Sequence, residues 1–270
     1  MYAQRWITGL TALPFLIFLV YKGGFVFAVF VAVVCLLCMG EYFRIMAKGQ
    51  MSALLSFIPL FSMISGTVTI LAANKFTTDL TLCIAGIHVI LCALYSVTHF
   101  KNDPAVLEKI AQGIQAFVYI PVFLSFAILI RNGNDGMLWF FMLLAIIFAG
   151  DIGALYAGTY FGKHKLCPSV SPKKTVEGSL GGLAANVLIG SIIKMIFLSR
   201  MPWMQSLIFF LCIGIAGQIG DLFESQFKRA AGVKDSGAIL PGHGGILDRI
   251  DALLFALPLA YFFKKYILWV

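Results

Sequence analysis

Residues 25–38 read FVFAVFVAVVCLLC, a run with no charged side chain that extends from Gly24 to Gly40 before Glu41 interrupts it. About 20 apolar residues in a helix cross the ~30 Å hydrocarbon core of a bilayer, so this run is read as a membrane span. Its CxxC, Cys35 and Cys38, is then a pair of small buried hydrophobes rather than a metal or redox motif. Similar runs recur along the chain, near 6–20, 53–73, 79–98, 113–131, 137–162, 177–198, 203–222 and 250–269, which gives about nine crossings. Only Tyr21, Lys22, Gly23 and Gly24 separate the first two, so a broken element and a count of eight stay open there.

Composition agrees with that solvent. Of 270 residues, 60% are hydrophobic and 12% charged, and the mean hydropathy is +0.94. Ordinary globular domains carry about 25% charged residues, so a water-soluble enzyme, a disordered chain and a fibrous one are all excluded. The predicted fold class is an all-α polytopic membrane protein. Arg5 precedes the first apolar stretch, yet no small-x-small cleavage site follows it, and the stretch is expected to stay as an uncleaved span.

The net charge of +8 arises from 20 Lys and Arg against 12 Asp and Glu. With nine alternating crossings, Arg5, Arg44, Lys48, Lys101, Lys109, Lys163, Lys165, Lys173, Lys174, Lys228, Arg229, Lys234 and Arg249 fall on one side. Lys22, Lys75, Arg131, Arg200, Lys264 and Lys265 fall on the other, thirteen against six, with Lys194, inside the span 177–198, on neither side of the count. The positive-inside rule places the richer side in the cytoplasm, together with the polar loops 163–176 and 223–249. Residues 1–136 are expected to form packing helices, and residues 137–270 the part that carries chemistry.

That division follows the acids. Carboxylates inside apolar spans cost about 2.5–3.5 kcal/mol on insertion scales and mark function by default. They collect in the second half as Asp151, Asp221, Glu224, Asp248 and Asp251. Asp221, Glu224, Ser225 and Lys228 share one helical face at i, i+3, i+4 and i+7. Asp248 and Asp251, again i and i+3, open the last helix, where simple capping is the competing explanation. Two acidic helix ends joined by one loop can converge on Mg²⁺, which takes one or two carboxylates and leaves its other positions to water and phosphate oxygens.

The joining loop, KRAAGVKDSGAILPGHGGI from Lys228 to Ile246, supplies Lys228, Arg229 and Lys234 for phosphate. Gly237, Gly242, Gly244 and Gly245 let backbone N–H groups approach an anion, with His243 among them. A second polar loop, GKHKLCPSVSPKKTVEG from Gly162, repeats the logic with Lys163, Lys165, Ser171, Lys173, Lys174 and Thr175, although plain positive-inside charge looks much the same. Ala154, Gly158 and Gly162 share the helical face of Asp151, so that acid is expected to face the bundle, while Gly178 and Gly182 read as packing devices. His88 and His99 read as polar contacts or span ends, and Glu41 as a loop boundary. Walker and dinucleotide glycine spacings are missing from the sequence.

The run from Ser225 to Asp251, SQFKRAAGVKDSGAILPGHGGILDRID, resembles the signature of the phosphatidate cytidylyltransferase (CDP-diacylglycerol synthase) family at every specified position. The segment GDLFE from Gly220, the GKHKL segment and Ser171 to Thr175 also look like that family. Around Asp151 the family commonly has Ser or Thr next, whereas this chain has Ile152. The resemblance implies transfer of CMP from CTP to phosphatidate, giving CDP-diacylglycerol and pyrophosphate, with Mg²⁺ on Asp221 and Asp248 and room for a second cation. It casts Lys228 and Arg229 as catalytic and Ser171, Lys173, Lys174, Ser225, Lys234, Asp235, His243, Gly244, Gly245 and Arg249 as substrate contacts. Asp151, Glu224 and Asp251 are given supporting roles. CTP, phosphatidate and membrane lipids are the implied partners, nucleic acid is not, and a homodimer is left open. The expected location is the plasma (inner) membrane, crossed several times, with the site facing the cytoplasm. Other membrane transferases acting on a lipid phosphate are the nearest rivals, but the Asp-Gly-x-x-Ala-Arg pair of CDP-alcohol phosphotransferases is missing. A cation-coupled transporter would spread its acids along a path, whereas these crowd toward one face.

Overall fold

In hydrocarbon every backbone N–H and C=O must find a partner within the chain, so apolar runs of this length become helices. A computed structural model describes residues 13–50, 54–75, 78–237, 239 and 244–268. Its elements are α1 (Leu13–Lys22), α2 (Gly24–Met46), α3 (Phe57–Lys75), α4 (Thr78–His99), α5 (Val106–Phe117), α6 (Phe123–Asn132), α7 (Gly136–Phe161), α8 (Val176–Phe197), α9 (Trp203–Ala231) and α10 (Leu247–Phe262). Strands β1 (Lys165–Cys167) and β2 (Ser171–Thr175) lie between α7 and α8. Seven helical segments among the described residues are long and apolar enough to cross a bilayer, and the protein is an all-α polytopic membrane protein.

The breaks have local causes. Gly23 (φ 61°) and Gly24 (φ 53°) separate α1 from α2 in a backbone region open mainly to glycine. Helices α5 and α6 form one segment, Val106–Asn132, through a π-helical turn at Val118–Val122 that contains Pro121. A proline removes one ladder N–H, and the wider turn accommodates it. Helix α9 runs to Ala231, well beyond the expected end at 222, because Phe223–Arg229 holds no helix breaker and Gly232 (φ 72°) is the first stop. A π-helical turn, Phe263–Ile267, extends α10 to the length of the last expected span. The expected first span at 6–20 lies partly outside the described residues.

The chain divides into two compact units. One comprises Met1–Leu129 with Ala230–Asp248, and the other Ile130–Arg229 with Arg249–Val270. Residues 230–248, placed with the C-terminal half on sequence grounds, thus fold with the N-terminal helices.

In the first unit α3 packs on α2, α4 and α5. Ile58, Cys92, Val106 and Ile110 form a buried cluster, and the Tyr42 hydroxyl donates to Gln115 Oε1 at 2.7 Å to tie α2 to α5. His88 is buried between the rings of Phe61 and Phe117, 5.0 and 4.1 Å away, with Nδ1 2.9 Å from Ser65 Oγ. It is a polar contact of the core, as its lack of acidic neighbours suggested.

In the second unit α7 and α8 meet along small residues. A Cβ on Gly178 would lie 2.9 Å from the Ala154 carbonyl oxygen, and one on Gly182 2.9 Å from that of Gly150. Only glycine permits this approach, so the GxxxG of α8 is a packing device. Ahead of α8, β1 and β2 pair antiparallel, Lys165 opposite Thr175 and Cys167 opposite Ser171. The expected polar loop is therefore a hairpin. Thr175 ends it and caps α8, its Oγ1 accepting from Gly178 N at 3.1 Å.

Candidate active site

In the second unit, α7, α8, α9 and the hairpin enclose a cavity of about 470 Å³. Asp151 of α7, Lys173 and Lys174 of β2, Ser179 and Asn186 of α8, and Gln218 and Asp221 of α9 line it. The close α7–α8 seam brings Asp151 and the hairpin lysines to one space. Lys173 and Lys174, immediately ahead of the Thr175 cap, line it from β2. Lys174 Nζ lies 2.6 Å from Asp221 Oδ2, both side chains partly exposed. Ser179 Oγ donates to Gln218 Oε1, and Gln218 Nε2 donates to the Ser179 carbonyl at 3.0 Å, which locks α8 to α9 beside the cavity.

The α9 face splits into two pairs. Ser225 Oγ donates to Asp221 Oδ1 at 3.4 Å, whereas Glu224, fully buried, forms an ion pair with Lys228 one turn on. A buried acid needs a counter-charge or hydrogen-bond donors, so Lys228 is engaged with Glu224 in this structure rather than held out for a phosphate. Asp251 on α10 is buried, its Oδ1 accepting from Ala252 N at 2.7 Å, and it lies within electrostatic reach of Asp221, Asp151 and Lys228. Arg249, on the same helix, is exposed. Arg229 Nε donates to the Val170 carbonyl at 3.0 Å and so holds the hairpin turn.

In the first unit, Asp248 closes its own loop. Its Oδ2 accepts from Ser236 N, Ser236 Oγ and Gly245 N, each at 2.9 Å. Gly244, at φ 82°, passes so near that a Cβ there would lie 2.9 Å from the same oxygen. Lys234 and Asp235 are exposed ahead of Ser236, Asp235 near Gly244. His243 lies outside the described residues.

Glu41 corrects the sequence reading. It is no loop boundary: α2 continues to Met46, and Glu41 is buried with Oε1 accepting from Ile246 N at 3.0 Å and Oε2 from Leu247 N at 2.8 Å. An acid ending an apolar run was the signal present in the sequence, but nothing local marked its partners.

The donor set suits a hard cation. Among the described residues no three His, Cys, Asp or Glu side chains group closely enough to hold one ion. Mg²⁺ does not require three, since phosphate and water oxygens complete its shell. Asp151 and Asp221 offer carboxylates on one cavity that Lys173 and Lys174 also line, the arrangement a metal–polyphosphate ligand calls for.

The model of the cytidylyltransferase family matches residues 3–267. The phosphatidate cytidylyltransferase of Bacillus subtilis is 33% identical over 264 residues, covering 96% of each chain. Those of Staphylococcus saprophyticus and Staphylococcus epidermidis are 32% and 31% identical, each over 94% of this chain and 96% of the relative.

Proposed function

The chain belongs to the cytidylyltransferase family, and on that premise we propose that it transfers CMP from CTP to phosphatidate, forming CDP-diacylglycerol and pyrophosphate in phospholipid synthesis. The carrying observation is the cavity itself, in which Asp151 and Asp221 face Lys173 and Lys174 in a bundle of membrane helices. A phosphate oxygen of the lipid attacks the α-phosphorus of CTP, and the bond to the β-phosphate oxygen breaks as pyrophosphate leaves. Phosphate monoesters are already anionic at neutral pH, so the demand is for positioning and charge neutralisation rather than a strong base.

Lys173 and Lys174 supply positive charge where pyrophosphate departs, and Lys174 is held in place by Asp221. Ser225 orients Asp221 from one turn on. Lys234, with the backbone of Gly244, is a further site for phosphate oxygens. Mg²⁺ at the cavity would be held by Asp221 and Asp151, where it would polarise the α-phosphate and neutralise the triphosphate, and Asp248 is a further carboxylate proposed to serve the transfer. Phosphatidate carries two acyl chains, so it reaches the site sideways from the bilayer. The site faces the cytoplasm of a bacterial plasma membrane, where CTP is available, an orientation supported by the thirteen-to-six charge asymmetry.

The assay is direct. Purified protein in detergent, given radiolabelled CTP, phosphatidic acid and Mg²⁺, should move label into the organic phase, and EDTA should stop it. Asp221→Asn should lower that rate at least a hundredfold while the protein still inserts and purifies. Wild-type turnover from this variant would remove Asp221 from the site, and no label transfer by the wild type would overturn the activity.

A further inference from the structure

Glu41 is an acid that the transfer described above leaves unused, and it is 4% exposed in α2. Burying a carboxylate costs several kcal/mol unless donors surround it. Its donors are informative. Ile246 N and Leu247 N are the opening amides of α10, groups that no turn of that helix can satisfy and whose dipole favours an anion. The third is Ser236 Oγ, 3.1 Å from Glu41 Oε2 and 2.9 Å from Asp248 Oδ2. One hydroxyl carries one proton, so Ser236 couples the two carboxylates rather than serving each independently. Gly237 and Gly245 approach Glu41 without spare room: a Cβ on Gly245 would lie 2.6 Å from Oε2, and one on Gly237 2.9 Å from Cδ.

A purely stabilising acid would need only the helix amides. The shared serine adds something else, a mechanical link from a helix in the N-terminal part of the chain to the orientation of Asp248. We propose, on the reading that Asp248 serves cytidylyl transfer, that Glu41 is a positioning residue which sets Ser236 and Asp248 for the metal–nucleotide complex.

Glu41→Gln places an NH₂ among donors, and Ser236→Ala cuts the link without altering any charge. Full-length variants in detergent would be compared by thermal unfolding, by Mn²⁺ binding in the presence of CTP (free-ion electron paramagnetic resonance), and by initial rates against each substrate. Removing a partner that orients a metal ligand typically costs about 10–100-fold in metal affinity or activity. Both variants should therefore weaken Mn²⁺ binding and raise the KM for CTP about tenfold or more, with the KM for phosphatidate within about twofold of wild type. The double variant should be no worse than the poorer single, because both cut one link. Wild-type Mn²⁺ affinity and KM for CTP in Ser236→Ala, whether or not Glu41→Gln folds, would overturn the proposal, as would additive losses. Asp248→Asn separates the underlying reading: wild-type turnover there sinks the role of Asp248 itself, whereas an inactive Asp248→Asn beside a kinetically silent Ser236→Ala sinks the positioning role alone.

Discussion

Gly244 and Gly245 are adjacent, and only Gly244 is required by its backbone as well as by its neighbours. Gly244 sits at φ 82°, where any L side chain crowds its own carbonyl, so Gly244→Ala should cost about 1–2 kcal/mol from the backbone, besides placing a Cβ 2.9 Å from Asp248 Oδ2. Gly245 has an ordinary backbone, but a Cβ there would run into Ser236 Oγ and come within 2.6 Å of Glu41 Oε2. Gly245→Ala should thus disturb the Asp248 network directly and lose more CTP-dependent rate than stability. Gly86, interior to α4 with nothing within 4 Å of an added Cβ, is the control, and Gly86→Ala should be neutral or stabilise by up to about 1 kcal/mol. Thermal unfolding in detergent, paired with the label-transfer rate, distinguishes these outcomes; equal losses at 245 and 86 would refute the packing account. Composition and helix-start position single out Asp248 and its glycines locally, but the sequence reads the glycine amides as donors to an anionic ligand, whereas Gly245 N donates to Asp248 itself. Glu41 was not legible, since its bond to Ser236 spans 195 residues and helical spacing is silent beyond a few turns.

Between α7 and α8, the contact of helices replaces the contact of side chains. A Cβ on Gly153 would lie 2.6 Å from Ala185 Cβ and 2.8 Å from the Gly181 carbonyl oxygen, both across the seam. Forcing bulk into such a site costs about 1–3 kcal/mol and shifts backbone. Gly153→Val should therefore push the helices apart and displace Asp151, two residues earlier, relative to the hairpin lysines. The expected outcome is an inserted protein with at least tenfold lower activity per folded molecule, checked by size-exclusion profile and label transfer; full activity would show that the seam does not set the cavity. The small-residue faces on α7 and α8 were legible, because glycines at helical spacing have few other uses in a membrane. The β hairpin was not. Its lysines read equally well as loop charge, and pairing of Lys165 with Thr175 depends on the turn around Pro168 and on Arg229 reaching the Val170 carbonyl, neither of which a local pattern announces.

Across the whole molecule, span count and orientation are questions of charge against hydrocarbon. The long apolar helices were legible from run length alone, since six of the expected spans reappear within four residues at their starts and the span expected at 113 begins at Val106. Their ends were harder to read, because polar residues such as those of α9 continue a helix past the point where the bilayer stops. Orientation can be tested with a native thiol. Cys167 lies in the hairpin with intermediate exposure, whereas Cys35, Cys38 and Cys92 are buried, and Cys83 and Cys212 lie within the apolar helices α4 and α9. A variant keeping only Cys167 should react with a membrane-impermeant maleimide in inverted vesicles and stay unlabelled in intact spheroplasts. The expectation follows because translocating the hairpin would carry Lys163, Lys165, Lys173 and Lys174 across the membrane against the positive-inside bias. CTP with Mg²⁺ should slow labelling if Lys173 and Lys174, at the cavity beside this strand, hold the triphosphate. Labelling of intact spheroplasts would reverse the topology and separate the hairpin from the cytoplasmic supply of nucleotide.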